Sequence, residues 1–290
     1  MQMPSLYAPD KITLDSGLYL VATPIGNLGD ITLRALNVLA SVQLIACEDT
    51  RVSAKLLNHY GIRTRMEAYH EHNAEHMRPK LLTALAHGES IALISDAGTP
   101  LISDPGYKLV VAAIEADIKI IPIPGASSVM AAMCVAGLPT DKFAFVGFLP
   151  TSAGDAKNTL LAFSHVPASL ILFSTPSKIQ GNLELCLNIL GDRKMTMCRE
   201  LTKLYEETWR GNISSLIEAL KSGIEPRGEI VLVIAPPDAA PVVDESLIDE
   251  ALLEHLARLP LKSAAMEVAA IYNIPKNKAY QRALELKKQP

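Results

Sequence analysis

Four stretches of this chain gather residues able to do chemistry. In Ser95-Asp96-Ala97-Gly98-Thr99-Pro100 a carboxylate stands among small residues, with Asp104-Pro105-Gly106 close behind. A carboxylate at the end of a strand suits a ribose hydroxyl pair or a cationic ligand, and it repels a phosphate. Asp104 itself is expected to be a helix N-cap. In Pro24-Ile25-Gly26-Asn27-Leu28-Gly29, with Asp49 23 residues beyond Gly26, the outline of a dinucleotide fingerprint is visible. Pro24 replaces its leading glycine and removes an N–H donor, so a tight strand-to-helix turn without ligand explains the run equally well. His70, His72 and His76 lie beside Glu71 and Glu75. A His-x-His pair on a strand shares one face and can hold a metal, but no second cluster with ligand spacing accompanies it. A substrate-facing polar loop is expected there. Cys198-Arg199-Glu200-Leu201-Thr202-Lys203, followed by Glu206-Glu207, mixes both charges and also reads as a solvated helix start. Arg227-Gly228-Glu229 reads as a hairpin edge.

The elements that must position these groups alternate. Gly17–Thr23, Gln43–Cys47, a strand and loop over Thr64–Asn73, Ile91–Ser95 and Lys119–Ile123 are apolar runs that stop in small or polar turns. Helical spacing follows each, as in Leu33, Leu36, Leu39 and Val42, with Asp30 or Thr32 as cap. Strand, small-residue loop, helix, repeated, is the pattern of a parallel α/β sheet with a ligand at the carboxyl ends of its strands. Ser127 and Ser128, straight after a strand and Gly125, can cap a helix and meet a ligand together. The pattern resumes with Phe143–Phe148, Ser169–Phe173, Lys194–Arg199 and Glu229–Ile234. From Glu245 the chain reads as helices, and Ser263–Ile271, Tyr272–Pro275, Lys276–Lys288 resembles a basic helix–turn–helix. The expected organisation is two α/β domains (15–136 and 137–238) plus a helical appendage at 245–290 that carries basic residues.

The 290 residues are 49% hydrophobic and 20% charged, enough apolar material for real cores. A net charge of −4 argues against a protein that coats nucleic acid indiscriminately. Residues 261–290 nevertheless carry +4 against −8 for the remainder, so a polyanion is expected to be met locally. Cys47, Cys134, Cys186 and Cys198 are scattered, as reduced thiols of a cytoplasmic protein are. The uncharged run Ile120–Thr140 is broken by Pro122, Pro124 and Gly125 and is not expected to span a membrane.

TPIGNLGDITLRAL, CEDTR, HEHN, SDAGTPLISDPG, PGASS, GLPTDKFAFVGFLP, RELTK and RGEIVLVI occur in this order. Together they closely resemble the bacterial 16S rRNA (cytidine 2′-O)-methyltransferases, a group within the tetrapyrrole-methylase superfamily. The resemblance implies that superfamily's two-domain α/β fold, a homodimer, and S-adenosylmethionine held in the cleft between the domains. It implies methyl transfer to a cytidine 2′-oxygen in the decoding region, with 16S rRNA or the small ribosomal subunit as partner. By position it places Pro24, Asp96, Gly98, Thr99, Ser127 and Ser128 in the cofactor loops, with Phe173 and Ala235-Pro236 completing the pocket. The chain departs from the group at Phe173–Lys178, where an aromatic–Glu–Ser–Pro–His–Arg-like run is usual. It departs again at Ser152–Lys157, where a basic cluster is usual.

A sulfonium methyl donor is already activated, so the implied reaction calls for alignment and a proton acceptor and for no metal. Asp49, Glu200 and His70 are the candidate bases. Arg51, Arg199 and Lys203 are the candidates for holding phosphate or a developing alkoxide. A methylase acting on a tetrapyrrole and a non-catalytic RNA-binding protein are the competing functions.

Overall fold

The computed structural model describes residues 8–223, 225–238, 245–272 and 274–288. Five strands, β1 (Gly17–Val21), β2 (Leu44–Cys47), β3 (Met66–Ala68), β4 (Ser90–Ile94) and β5 (Ile120–Ile123), form an all-parallel sheet in the order β3-β2-β4-β1-β5. Alternation along the strands sends side chains to two cores. Tyr19, Val21, Ile45, Cys47, Ala92 and Ile94 meet α1 (Leu33–Ser41) and α2 (Thr50–His59) on one face. Leu18, Leu44, Ala46, Ile91 and Leu93 meet α3 (Ala74–Ala86) and α4 (Tyr107–Glu115) on the other. Burial on both faces explains why β1, β2 and β4 read as unbroken apolar runs. Of the two expected caps for α1, Thr32 serves, its hydroxyl accepting from the Ala35 N–H at 3.1 Å.

The second sheet, β6 (Phe143–Phe148), β7 (Ser169–Ser174), β8 (Lys194–Arg199), β9 (Glu207–Asn212) and β10 (Ile230–Ile234), has the order β6-β7-β10-β8-β9. It is mixed. β10 runs antiparallel to both β7 and β8, and β9 returns antiparallel on β8. Glu206-Glu207 therefore begin an edge strand, not a solvated helix. One face packs on α6 (Ala153–Phe163), α7 (Ile179–Leu190) and α8 (Ile213–Lys221).

The other face is covered from across the molecule. Helix α5 (Ser128–Ala136) follows β5 of the first sheet, yet its Val129, Ala132, Met133 and Ala136 pack against Ile171, Cys198, Val231 and Val233 of the second. The buried Thr196 hydroxyl donates to the Ala136 carbonyl at 2.8 Å and pins the helix there. Each fully buried aliphatic side chain in this layer contributes about 1.5–3 kcal/mol. The amino end of α5 is thereby fixed where the two sheets meet.

Both sheets belong to one compact unit, Met1–Pro236, and Pro237–Pro290 form a second. The second unit contains α9 (Glu245–Leu256), α10 (Leu261–Ile271) and α11 (Lys276–Lys288) around Leu252, Val268, Ala279 and Ala283. Arg282 is bidentate to Asp249, at 2.7 and 2.6 Å, and ties α11 to α9. Among the described residues no helix is long and apolar enough to cross a membrane.

Candidate active site

A cavity of about 400 Å³ opens between the carboxyl edge of the first sheet and one edge of the second, within the usual range for small-molecule sites. Its floor is built from strand-end turns. After β1, Thr23 and Gly98 exchange main-chain hydrogen bonds of 2.9 and 3.0 Å, folding the turn after β4 back onto β1. Gly98 holds φ +82°, and a Cβ there would lie 3.2 Å from Ile25 Cγ2, so the backbone itself lines the cavity. Thr99 donates its hydroxyl to the Ala126 carbonyl at 3.1 Å, and Ser127 caps α5 through the Met130 N–H at 3.4 Å. Asp96, Gly98, Thr99, Ser127 and Ser128 all line the space. On the other side stands Phe173, held edge-on by Phe145 and Phe148 with centroids 4.9 and 5.3 Å away.

The charge of the lining has one sign. Its ionisable carboxylates are Glu48, Asp96, Asp104 and Glu229, and among the described residues no lysine or arginine joins them. Burial pushes the Glu48 carboxyl above the ordinary carboxylate range, and Asp96 and Asp104 push it further. Asp96 and Asp104 are likewise raised, burial being the larger cause in both. Such a pocket gains by accepting a cation and loses by accepting a phosphate. Asp104 is not the helix cap expected of it. Gly106 occupies the cap of α4, and Asp104 faces the cavity with the Ser95 hydroxyl as partner.

The other candidates stand outside the lining. Asp49 caps α2 and pairs with Arg51 at 2.6 Å, bonds that bring its carboxyl down to about 2 and leave it a poor proton acceptor at neutral pH. Glu200 accepts from the Glu229 N–H and from Lys203 Nζ, each at 2.9 Å, and these hold its carboxyl below the usual range. Lys203 also reaches Glu229 at 3.1 Å; burial opposes its charge, but those carboxylates outweigh it and raise its pKa. Arg199 pairs with Glu207 at 2.9 Å inside the β8–β9 hairpin. The RELTK segment is thus a tied turn, with Glu200 and Thr202 at positive φ. His70 lies two residues beyond β3, its N–H donating to Asn73 Oδ1 at 2.9 Å. Its ring lies 6.0 Å from that of His72. Among the described residues no His, Cys, Asp or Glu group is arranged to hold a metal.

Pro24 is buried behind the Thr23–Gly98 bridge, and it is Ile25 that reaches the cavity. Ala235 and Pro236 are displaced for a topological reason. Because β10 is antiparallel to its neighbours, its carboxyl end lies at the amino ends of β7 and β8, where the Ala235 N–H donates to the Lys194 carbonyl at 2.8 Å. The amino end of β10, Gly228–Val231, is the part that lines the cavity, beside Ser174 and Thr175. Arg227-Gly228-Glu229 therefore leads into a central strand and not a hairpin edge.

The family model for tetrapyrrole (corrin/porphyrin) methylases matches residues 17–217, which contain both the floor and the hairpin of this site. A "Ribosomal RNA small subunit methyltransferase I" of Mesorhizobium japonicum is 50% identical, covering 94% of this chain and 93% of its own length. The chain belongs to this family of methylases. A second relative of the same name, from Vibrio cholerae, is 44% identical over 95% of this chain and 98% of its own. The methylase fold is also seen in a uroporphyrin-III C-methyltransferase from Thermus thermophilus complexed with S-adenosylhomocysteine. That structure superposes with a TM-score of 0.54 at 18% identity, covering 76% of this chain and 97% of the other. Residues 242–287 of the methylase match the model of the RsmI C-terminal HTH domain.

Proposed function

We propose that this methylase transfers the methyl group of S-adenosylmethionine to the ribose 2′-oxygen of a cytidine in the decoding region of 16S rRNA. The observation that carries the cofactor half is the one-signed cavity. S-adenosylmethionine presents a sulfonium, an ammonium and a ribose diol, which fit carboxylates and small hydroxyls and have no use for a phosphate site. Asp96, Gly98, Thr99, Ser127, Ser128 and Phe173 would hold it. The Phe173 face suits a flat adenine or the thioether chain. When bound, the cofactor supplies an activated methyl group. The chain's own residues orient the acceptor, exclude water and take up the departing proton.

The names of the relatives support rRNA as acceptor, and so does the +4 charge of residues 261–290 in the helical unit. Its Lys262, Lys276 and Lys287 are exposed, where phosphate contacts can form. Arg282 is engaged with Asp249 and is left out of that set. The reading includes a cytoplasmic homodimer, to be checked by light scattering. Its main test is calorimetry with S-adenosylmethionine, followed by mapping 2′-O-methylation in small subunits from a strain lacking this protein, with and without the pure enzyme. Cofactor heat and a single restored cytidine are expected. Well-folded protein giving no heat, or a methyl group on a base or a precorrin, would overturn it.

A further inference from the structure

The carboxyl edge of the first sheet is divided in two. Its β4-β1-β5 half ends in the small-residue turns that carry Asp96, Thr99 and Ser127. Its β3-β2 half ends in His70 and Glu48. If the cofactor rests on the small-residue half, the acceptor must enter over the other, and that half presents an acid to the cavity. Glu48 is half-buried and lines the cavity, whereas its neighbour Asp49 is turned away onto α2 and Arg51. Crossed main-chain bonds fix the pair of turns. The Asp96 N–H reaches the Glu48 carboxylate, and the Asp49 N–H donates to Asp96 Oδ1 at 3.1 Å.

His70 stands within electrostatic reach of Glu48, and its Nδ1 is buried without a hydrogen-bond partner among the described residues. Its main chain is anchored independently. Besides receiving the His70 N–H, Asn73 donates Nδ2 to the Ala68 carbonyl at 2.8 Å. A buried ring nitrogen left open beside a carboxyl is costly unless it serves a ligand or a proton.

We propose that Glu48 is the catalytic base of the methylase and that His70 is the positioning residue that tunes it. Resting on the function proposed above, the step balances as follows. The acceptor O–H bond breaks and its proton passes to the Glu48 carboxylate. The freed oxygen pair forms the new O–CH3 bond, and the methyl–sulfur pair stays on sulfur, converting sulfonium to neutral thioether. The proton then leaves Glu48 for bulk water. The charged groups acting on Glu48 are Asp96 and Asp104 from the turn after β4 and His70 from the turn after β3. The acids and burial raise its carboxyl, and His70 lowers it. A base tuned upward in this way accepts a proton more readily than Asp49 or Glu200.

The test uses the full chain, small subunits as acceptor, and Glu48→Gln, which keeps shape while removing basicity. Single-turnover transfer should fall about 100- to 10,000-fold, with S-adenosylmethionine affinity within about threefold by calorimetry. The wild-type rate should climb tenfold per pH unit below the Glu48 pKa and then level, and that limb should vanish in Glu48→Gln. His70→Gln should move the limb to higher pH. In carbon-13 Glu-labelled protein without substrate, the side-chain signal missing from Glu48→Gln should titrate above the ordinary glutamate range. Full-rate transfer by Glu48→Gln with normal cofactor binding would overturn this inference alone. So would a Glu48→Gln variant whose cofactor affinity collapses while the pH limb survives, or a Glu48 signal titrating at or below the ordinary range. Absence of cofactor heat from wild-type protein would instead overturn the function on which it rests.

Discussion

Gly228 and Glu200 are locked together, and that lock can be measured. Gly228 holds φ +82°, and a Cβ placed there would fall within the Glu200 carboxylate, with Glu200 Cγ only 2.8 Å away. Gly228→Ala therefore carries two costs. The left-handed backbone costs about 1–2 kcal/mol for an L side chain. Displacing the carboxylate breaks its bonds to the Glu229 N–H and Lys203, about 1.5–3 kcal/mol for a charge-assisted, partly exposed pair. The total is about 2.5–5 kcal/mol, or a fall in Tm of roughly 5–20 °C for a unit of this size. In a Glu200→Ala background the clash and the bonds are already gone, so Gly228→Ala should cost only the backbone share, about 1–2 kcal/mol. The coupling between the two sites should then be about 1.5–3 kcal/mol. Urea unfolding followed by the fluorescence of Trp209 reads it cleanly. That residue is the chain's single tryptophan, sits in β9 and packs on the core of the second sheet. Equal costs of Gly228→Ala in both backgrounds would refute the described packing of the RELTK turn on the start of β10.

The raised carboxyls of Asp96 and Asp104 give cofactor binding a signed pH dependence. Protonated forms persist above the ordinary carboxylate range, so affinity for cationic S-adenosylmethionine should drop as pH falls through the raised pKa values. S-adenosylhomocysteine should lose less, and parallel calorimetric titrations showing equal losses would contradict the electrostatic account. In the ligand-free protein the same groups favour the fold most below the ordinary carboxylate pKa, and that contribution is lost as pH rises through the raised values. Of the four free thiols only Cys134 is exposed; burial lifts Cys186 to about 12, Cys198 to about 11 and Cys47 above its usual value. Native protein at mildly alkaline pH should thus react rapidly at one thiol with a chromogenic disulfide, and all four should react in denaturant. In the helical unit, Lys276→Ala should reduce the slope of log affinity for rRNA against log salt by about 0.7–0.9. Arg282→Ala should instead lower helical stability, since it strands Asp249, and circular dichroism distinguishes the two.

Much of this was legible in the residues. The first sheet is written largely as apolar runs ending in small-residue turns, and β1, β2 and β4 follow that pattern because both their faces are buried. The site floor was legible for the same reason, since Asp96 to Thr99 and Ser127-Ser128 must follow strands. What escaped lies where pattern carries no direction. Glu229–Ile234 is equally apolar read either way, so nothing in its composition told that its amino end meets the cavity, and Ala235-Pro236 fell on the wrong edge. ETWRGN is only partly buried at a sheet edge and starts in a charged run, so it lacked clean alternation. Glu48 and Asp49 are adjacent acids after one strand. Spacing favoured Asp49, and only the geometry of the cap separated their roles.

The central place of β10 constrains how the molecule is made. Every strand of the first sheet has been synthesised by Ile123, so that half can assemble while the rest is still being made. The second half cannot, because the strand joining β7 to β8 is the last to emerge, and it also brings Gly228–Val231 to the cavity. A nascent chain halted before residue 230 would carry a finished floor and no roof. Acquisition of ligand binding should therefore switch on late and abruptly as stalled chains are lengthened through β10.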